Sequence, residues 1–404
     1  MQNPLSKTHG IYKNLSGDTV FNSQAAMLVF TTGIAFNLSA APGMLSEEFG
    51  STTFWAFIAY SVIDVALTTL VFLFARKNGD AYLSTVNCFA YRLVCLLAMI
   101  FLTFKGVFHF SYASSFLTHE LFEGLEPSLI YLLFLLPVVY LGAKGMRTIS
   151  RTTEIFFPLI FLAIAINLVF LRTKTNFARV LPIFSREPSE IAAIFPRYGL
   201  WLGDMLPFAF IKIKDKKLPY LTIGITGTWL FINLVVLLGV AIYGDALKTV
   251  SDLLIHIAGF NQLSKDVGRT EWTNLLAVLT MSIISLAFSY FGAISACKRA
   301  FKTDAIAKCG YPLAILFSIL LIPSAQTITD FGTGKCGYVM FALAISLPIL
   351  LVLTFLWQRK RYPAIHKLLD DEYLTDKQRS LKLDSNTLGV LDGFKRTNDL
   401  KEQV

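Results

Sequence analysis

Long blocks of apolar residues, separated by short polar stretches, dominate the chain. A run of about 20 apolar residues is long enough to cross the hydrocarbon core of a bilayer as a helix. The pattern therefore predicts an all-α integral membrane domain over residues 23–358, flanked by polar segments at 1–22 and 359–404. The ten predicted transmembrane spans are 23–45, 52–75, 88–117, 127–146, 150–171, 190–212, 219–243, 271–299, 309–325 and 335–358.

Two of the predicted spans carry residues that interrupt a helix. Span six contains "FPRYGLWLGDMLPFAF" (195–210) and span one contains "VFTTGIAFNLSAAPGM" (29–44), both with glycine and proline. Proline removes a helix hydrogen bond, and non-helical backbone survives in a bilayer only inside protein or beside a water-filled cavity. Because the two spans are equivalent members of two five-helix halves, they predict a 5+5 inverted-repeat transporter fold with discontinuous helices one and six. We expect breaks near Thr31–Asn37 and Tyr198–Asp204 that face each other.

In such folds a ligand lies between the broken helices near the middle of the membrane. Half-helix N-termini favour an anionic group and unwound carbonyls favour a cation, so a small zwitterion would suit the site. Its carboxylate is expected at the amides of residues 32–34 and its amine at the carbonyls of residues 198–201. Ordinary kinks, which membrane helices tolerate, are the alternative. The predicted ligand-binding residues are Thr31, Thr32, Gly33, Ile34, Tyr198, Gly199, Trp201, Gly203, Asp204 and Tyr290.

Several ionisable residues fall inside the predicted spans, where charge is costly and usually functional. Lys105 and His109 are four residues apart and therefore share one face of span three. A lysine at this depth needs an acid partner or must be neutral, and Asp64 and Asp204 are the deep acids available. The cluster could be an ion pair that fixes helix packing or a site of ion coupling. Glu154, which follows basic residues, fits a charge network at the start of span five, its cytoplasmic end.

A stripe of hydroxyl groups follows span eight, where Ser282, Ser285 and Ser289 lie on one helix face. Such serines could bond to neighbouring helices or coordinate a small cation. The stripe offers hydroxyls but no acid. We therefore expect Lys105, rather than sodium on the serines, to stabilise the carbonyls of the broken first helix.

Composition and charge agree with a membrane protein and argue against several other classes. Hydrophobic residues make up 54% of the chain and charged residues only 16%, against roughly 25% in soluble domains. The net charge of +9 comes from Lys and Arg near span ends, where they set topology, so no nucleic-acid partner is expected. The larger share lies on the side of both termini, which are predicted to be cytoplasmic. The sequence shows no nucleophile elbow, zinc spacing or phosphate loop, so we expect no enzyme, no cofactor and no metal site.

The middle of the chain resembles a known family. "YLGAKGMRTISRTTEIFFPLI", "NFARVLPIF" and "WLGDMLPFAF" are similar to segments of the permease-like B subunits of spore germination receptors, within the amino acid–polyamine–organocation superfamily. The family usually has glutamate where Asp204 stands. The resemblance covers roughly residues 15–360.

The resemblance implies a LeuT-like fold and a nutrient-germinant receptor subunit that binds a small amino-acid-like ligand to trigger germination. It further implies A and C subunits as partners in the spore inner membrane. A proton- or sodium-coupled amino acid permease of the bacterial cell membrane is the alternative, and a purely structural subunit is a third possibility.

Overall fold

The computed structural model describes residues 19–38, 41–86, 88–118, 127–170, 175–181, 187–213, 218–250, 252–259, 271–321 and 333–361. Most of the two predicted terminal segments, 1–22 and 359–404, lies outside these residues. The described part is almost entirely helical and encloses one hydrophobic core. In chain order the α-helices are α1 (Asn22–Asn37), α2 (Ala41–Phe49), α3 (Thr53–Arg76), α4 (Gly79–Val86), α5 (Phe89–Phe116), α6 (Pro127–Lys144), α7 (Met146–Phe170), α8 (Pro188–Ile194), α9 (Leu218–Tyr243), α10 (Leu253–Gly259), α11 (Glu271–Phe301), α12 (Ala305–Leu321) and α13 (Lys335–Arg361).

Eight predicted spans correspond to continuous apolar helices in the described residues. Six stretches are long and apolar enough to cross a membrane, judged by length and composition. They are Ala41–Arg76, Phe89–Ser114, Met146–Ile166, Leu221–Thr249, Asn274–Phe301 and Lys335–Arg361. Two shorter apolar helices, Leu129–Lys144 and Ala305–Ser318, account for spans four and nine. The two spans missing from this set are one and six, which the sequence predicts to be discontinuous.

Span one is interrupted, but not where the sequence predicts. Helix α1 runs without a break through Thr31–Asn37 and ends at Leu38, and α2 begins at Ala41. The expected break within Thr31–Asn37 is therefore wrong by about one turn. Pro42 is the second residue of α2, where the missing N–H costs no helix hydrogen bond.

Span six is broken as predicted. Helix α8 continues into a 3₁₀ helix (Phe195–Trp201) with a kink at Tyr198, and a second 3₁₀ helix follows at Leu206–Phe210. Between them the backbone is extended at Leu202, and Gly203 has a φ of +82°, which only glycine adopts without strain. The break places the carbonyl of Leu202 and the carboxylate of Asp204 in the core.

A short parallel ladder joins the start of α1 to the end of span six. Strand β1 (Thr19–Val20) pairs with β2 (Lys212–Ile213), with Thr19 opposite Lys212. Strands of two residues are too short to show an alternation of apolar and polar residues, so they cannot be predicted from the sequence. The ladder connects the two discontinuous spans at the end of the bundle that is predicted to be cytoplasmic.

The segment between spans seven and eight covers the opposite end of span one. Its described residues form a 3₁₀ helix (Gly244–Thr249) followed by α10. The N–H of Leu253 donates to the carbonyl of Leu38, 3.3 Å away, at the break itself. A Cβ on Gly43 would lie 2.4 Å from the carbonyl oxygen of Val250, so glycine allows this close contact.

Candidate ligand site

The centre of the site is an ion pair built on the break in span six. Lys105 Nζ lies 2.8 Å from Asp204 Oδ1 and donates to the carbonyl of Leu202 at 2.7 Å. Both side chains are buried, at 5% and 8% exposure. The lysine therefore satisfies an unwound carbonyl and a carboxylate at once. The sequence predicted this role on the carbonyls of span one, and the structure places it on span six.

Asp64 of α3 holds the same break from the other side. Its two oxygens accept from the N–H of Gly203 at 3.0 Å and from Trp229 Nε1 at 2.9 Å. Asp64 thus accepts from Gly203, the residue before Asp204, so two deep acids lie at one irregular segment near a single lysine. Among the described residues that contact this pair, Lys105 supplies one positive charge, whereas the two carboxylates carry two negative charges when ionised. The cluster can accept a further positive charge, either a proton or a ligand cation.

Asn37 connects the two discontinuous spans. Its Nδ2 donates to the carbonyl of Gly33 at 2.8 Å and to Asp204 Oδ2 at 3.3 Å. Thr32 and Gly33 also face span six, because Thr32 Oγ1 lies 3.7 Å from the sulfur of Met205 and a Cβ on Gly33 would lie 3.6 Å from Met205 Cε. The end of α1 and the break in span six therefore do face each other.

Buried polar atoms without hydrogen-bond partners among the described residues lie near the Lys105–Asp204 pair, and two of them belong to aromatic side chains. The Phe36 ring lies 4.4 Å from that of Trp201 and 4.7 Å from that of His109. In the described part of the chain, Trp201 Nε1, His109 Nε2 and Asn37 Oδ1 are buried and accept or donate no hydrogen bond. Such groups cost free energy unless water or a ligand satisfies them. Thr31 Oγ1 is also buried without a hydrogen-bond partner among the described residues.

The glycines of the site permit close packing. A Cβ on Gly199 would lie 2.3 Å from the backbone of Phe341 in α13, and one on Gly33 would lie 2.8 Å from Thr228 in α9. The hydroxyl of Tyr198 lies 3.5 Å from the carbonyl of Met44, which joins span six to α2. Residues 31–34 lie inside α1, so their amides belong to the helix ladder and a carboxylate needs other donors.

Other predicted site residues take different positions. Tyr290 donates to the carbonyl of Lys308 and its ring lies 4.7 Å from that of Tyr311, on the side of span nine. Glu154 is exposed and accepts from the neutral amide of Gln24 at 2.9 Å, so its place in a charge network stays a prediction.

The serine stripe of α11 packs along α5. Ser289 donates to the carbonyl of Leu102 at 3.0 Å, the helix-to-helix contact that was one of its two expected roles. Ser282 and Ser285 are buried on the same helix. The described residues contain no group of three or more His, Cys, Asp or Glu side chains that could hold a metal ion.

Three residues of the site were not predicted as ligand-binding or charge-network residues. Trp229 in the middle of an apolar span, Phe36 and the amide of Asn37 carry no charge that would single them out. Asn37 offered a signal, since an amide in an apolar helix needs a partner. Trp229 offered none, because its role depends on a carboxylate 165 positions away.

Comparison with known proteins supports both family and fold. The family model described as spore germination protein, the spore permease family, matches residues 87–329, which is more than half of the chain. None of the curated proteins matches the chain by sequence.

Two solved transporter structures share the fold. MhsT in complex with L-phenylalanine aligns with a TM-score of 0.54 at 11% identity, over 85% of this chain and 97% of that one. Mhp1, a nucleobase-cation-symport-1 family transporter in a closed conformation with bromovinylhydantoin bound, aligns with a TM-score of 0.54 at 11% identity, over 88% and 97%. The LeuT-like fold with discontinuous helices one and six is thereby confirmed, and it is a fold of transporters rather than enzymes.

Proposed function

Because the chain belongs to the spore germination protein family, we propose that it is the permease-like B subunit of a nutrient-germinant receptor. It would bind a small amino-acid-like ligand between spans one and six and pass the binding event to A and C subunits. In this proposal the chain lies in the spore inner membrane with both termini cytoplasmic. The observation that carries the proposal is the buried break where Lys105 bridges Leu202 and Asp204 beside unpaired polar atoms of span one.

The chemistry of the site favours a zwitterion. The ammonium group of an amino acid would meet Asp204 and Asn37 Oδ1, since two buried carboxylates share one lysine. The carboxylate would meet Trp201 Nε1 and the N-terminal amides of α2, where the helix dipole is positive. Phe36, Trp201 and His109 now fill the space between these groups, so ligand binding would require the aromatic side chains to move.

Calorimetry with a panel of amino acids and the purified chain in nanodiscs tests the proposal. Trp201→Phe keeps an aromatic side chain but removes the unpaired donor, and one lost hydrogen bond should weaken binding by roughly threefold to tenfold. Trp55→Phe is the matched control, because its Nε1 is also buried and unpaired among the described residues but lies in the first turn of α3. Equal affinities in wild type and Trp201→Phe would place the site elsewhere.

A second candidate function is ion-coupled amino acid uptake, which the transporter fold and the buried Lys105–Asp204 pair also suit. Uptake of the bound amino acid into proteoliposomes that contain this chain alone would favour the permease. Saturable binding without uptake would favour the receptor subunit. Absence of any saturable binding would exclude both and favour a structural subunit.

A further inference from the structure

A second site lies away from the helix breaks, at the end of the bundle predicted to be cytoplasmic. A cavity of about 560 Å³ opens between α4, α5, α11, the junction of α6 and α7, and the start of α12. Its volume is in the range that holds a drug-sized ligand or a lipid headgroup. No predicted ligand-binding or charge-network residue lines it, so it is independent of the proposed function.

The cavity has a strong excess of positive charge. Its cationic lining residues are Arg92, Lys144, Lys298, Arg299, Lys302 and Lys308. Among the described lining residues Asp304 is the one carboxylate, and it pairs with Lys308 at 2.9 Å. Asp80, behind the wall, pairs with Arg299. Among the described lining residues the cations therefore outnumber the carboxylates, even with Arg299 set against Asp80 and Lys308 against Asp304.

The lining also has apolar side chains, which include Leu83, Tyr91, Phe291 and Ile294, and two serines, Ser84 and Ser295. Two helix N-termini also lie at its edge, since Cys88 caps α5 and Gly145 precedes α7. Their partial positive charges add to those of the side chains. An apolar wall beneath a ring of cations suits an amphiphile with an anionic head.

Two of these cations also stabilise helix ends. Lys144 and Lys298 lie in the last turns of their helices, where they also offset the negative helix end. Arg359 and Lys360 do the same at the end of α13, and they do not line this cavity. These two residues therefore provide a control for general attraction of anions to the basic end of the bundle.

We propose that this cavity binds a phosphate-bearing anion, presented either by the headgroup of an anionic phospholipid or by a soluble phosphorylated compound. Basic pockets between transmembrane helices near the cytoplasmic surface are suited to lipid phosphates. Lys298 and Lys302 are exposed, so they can be exchanged without disturbing the core.

The test uses the full chain in detergent with fluorescent phosphatidylglycerol, against phosphatidylcholine with the same chains and label. Phosphatidylglycerol should bind at least about fivefold more tightly, and added salt should reduce the difference because the attraction is electrostatic. Lys298→Gln with Lys302→Gln should bring its affinity down to that of phosphatidylcholine. Arg359→Gln with Lys360→Gln removes the same charge at the same end and should leave the preference intact.

Competition with glycerol 1-phosphate identifies the source of the anion. Displacement of the labelled lipid, lost in the Lys298/Lys302 variant, would support a site for soluble phosphates. Failure to displace it, with the preference for phosphatidylglycerol intact, would support a lipid site. Equal binding of the two lipids, or equal loss in both double variants, would overturn the proposal.

Discussion

At the residue scale, the ammonium group of Lys105 stands where unwound carbonyls need a positive charge. In discontinuous helices of transporters such carbonyls commonly coordinate the coupling ion. Here the carbonyl of Leu202 accepts from Lys105 at 2.7 Å, and Asp204 Oδ1 lies 2.8 Å from the same Nζ atom. A covalently attached cation cannot leave, so the break is stabilised whether or not sodium is present.

We predict that the thermal stability of the chain is the same in sodium chloride and choline chloride. Lys105→Met should lower the free energy of unfolding by about 3–5 kcal/mol, because it leaves Asp204 buried without its partner. Scanning fluorimetry in both salts measures the two effects. Lys308→Met, which breaks the half-exposed pair with Asp304, should cost less than about 1 kcal/mol. A sodium-dependent stabilisation that survives in Lys105→Met would contradict the role of the lysine.

At the element scale, the broken span six depends on close contact with α13. Gly199→Ala would place a Cβ 2.3 Å from the backbone of Phe341, which cannot give way as a flexible side chain would. We expect a loss of roughly 1–3 kcal/mol from this overpacking. Gly227→Ala in α9 is the control, because nothing lies within 4 Å of its Cβ and alanine favours a helix. Equal unfolding temperatures for the two variants would show that span six can shift away from α13.

The two discontinuous spans show what the sequence can and cannot predict about such elements. The break in span six follows from its glycines and prolines. In α1 the polar residues bond within the helix instead, since Thr32 donates to the carbonyl of Leu28 and Asn37 to that of Gly33. A side chain that bonds its own helix is compatible with a continuous helix, and no pattern of residue types distinguishes that outcome from a break. Gly33 serves packing against α9 rather than unwinding.

The segment that covers span one should respond to pH. Burial raises the pKa of Asp252 to about 7, above the ordinary value of 3.8, although its Oδ1 accepts from the N–H of Ile255. Because this pKa is raised, the stabilisation from Asp252 is complete below pH 4 and is lost as the pH rises toward 7. Wild type should therefore become less stable between pH 4 and pH 7, and Asp252→Asn should reduce this slope. Asp245→Asn, at an exposed position in the same segment, should not. Identical slopes in the three proteins, measured by scanning fluorimetry, would count against a titrating Asp252.

At the scale of the whole molecule, the sequence predicts the architecture better than the contacts. The lengths of the apolar runs are enough to predict the six long and two shorter apolar helices of the described residues, because the bilayer fixes the length of a span. The Lys105–Asp204 pair could be anticipated, because a buried lysine requires an acid and few were available. The positions of Tyr290 and Trp229 could not, since they depend on which helix faces are packed together. The same is true of the basic cavity, whose cations come from four helices and the turn between α11 and α12.

At the end of the bundle predicted to be cytoplasmic, Arg299 of α11 links two other elements. Its guanidinium group donates to both oxygens of Asp80 in α4 and to the carbonyl of Phe210 at the end of span six, 3.2 Å away. One side chain thus fastens two separate elements to α11. Transporters of this fold open by moving broken helices relative to the rest, so this contact should restrain opening at one end.

We predict that Arg299→Gln loosens this end without unfolding the protein. Glutamine cannot form the two charged hydrogen bonds to Asp80, and it leaves that carboxylate partly buried without its partner. Hydrogen exchange measured by mass spectrometry should become at least about tenfold faster in Gly79–Val86 and Leu206–Phe210, and stay unchanged in α10 at the opposite end. Lys308→Gln, which breaks only the half-exposed pair with Asp304, should leave both segments unchanged. If exchange rises equally in α10, Arg299 stabilises the fold as a whole; if it rises nowhere, the contact does not hold the end closed.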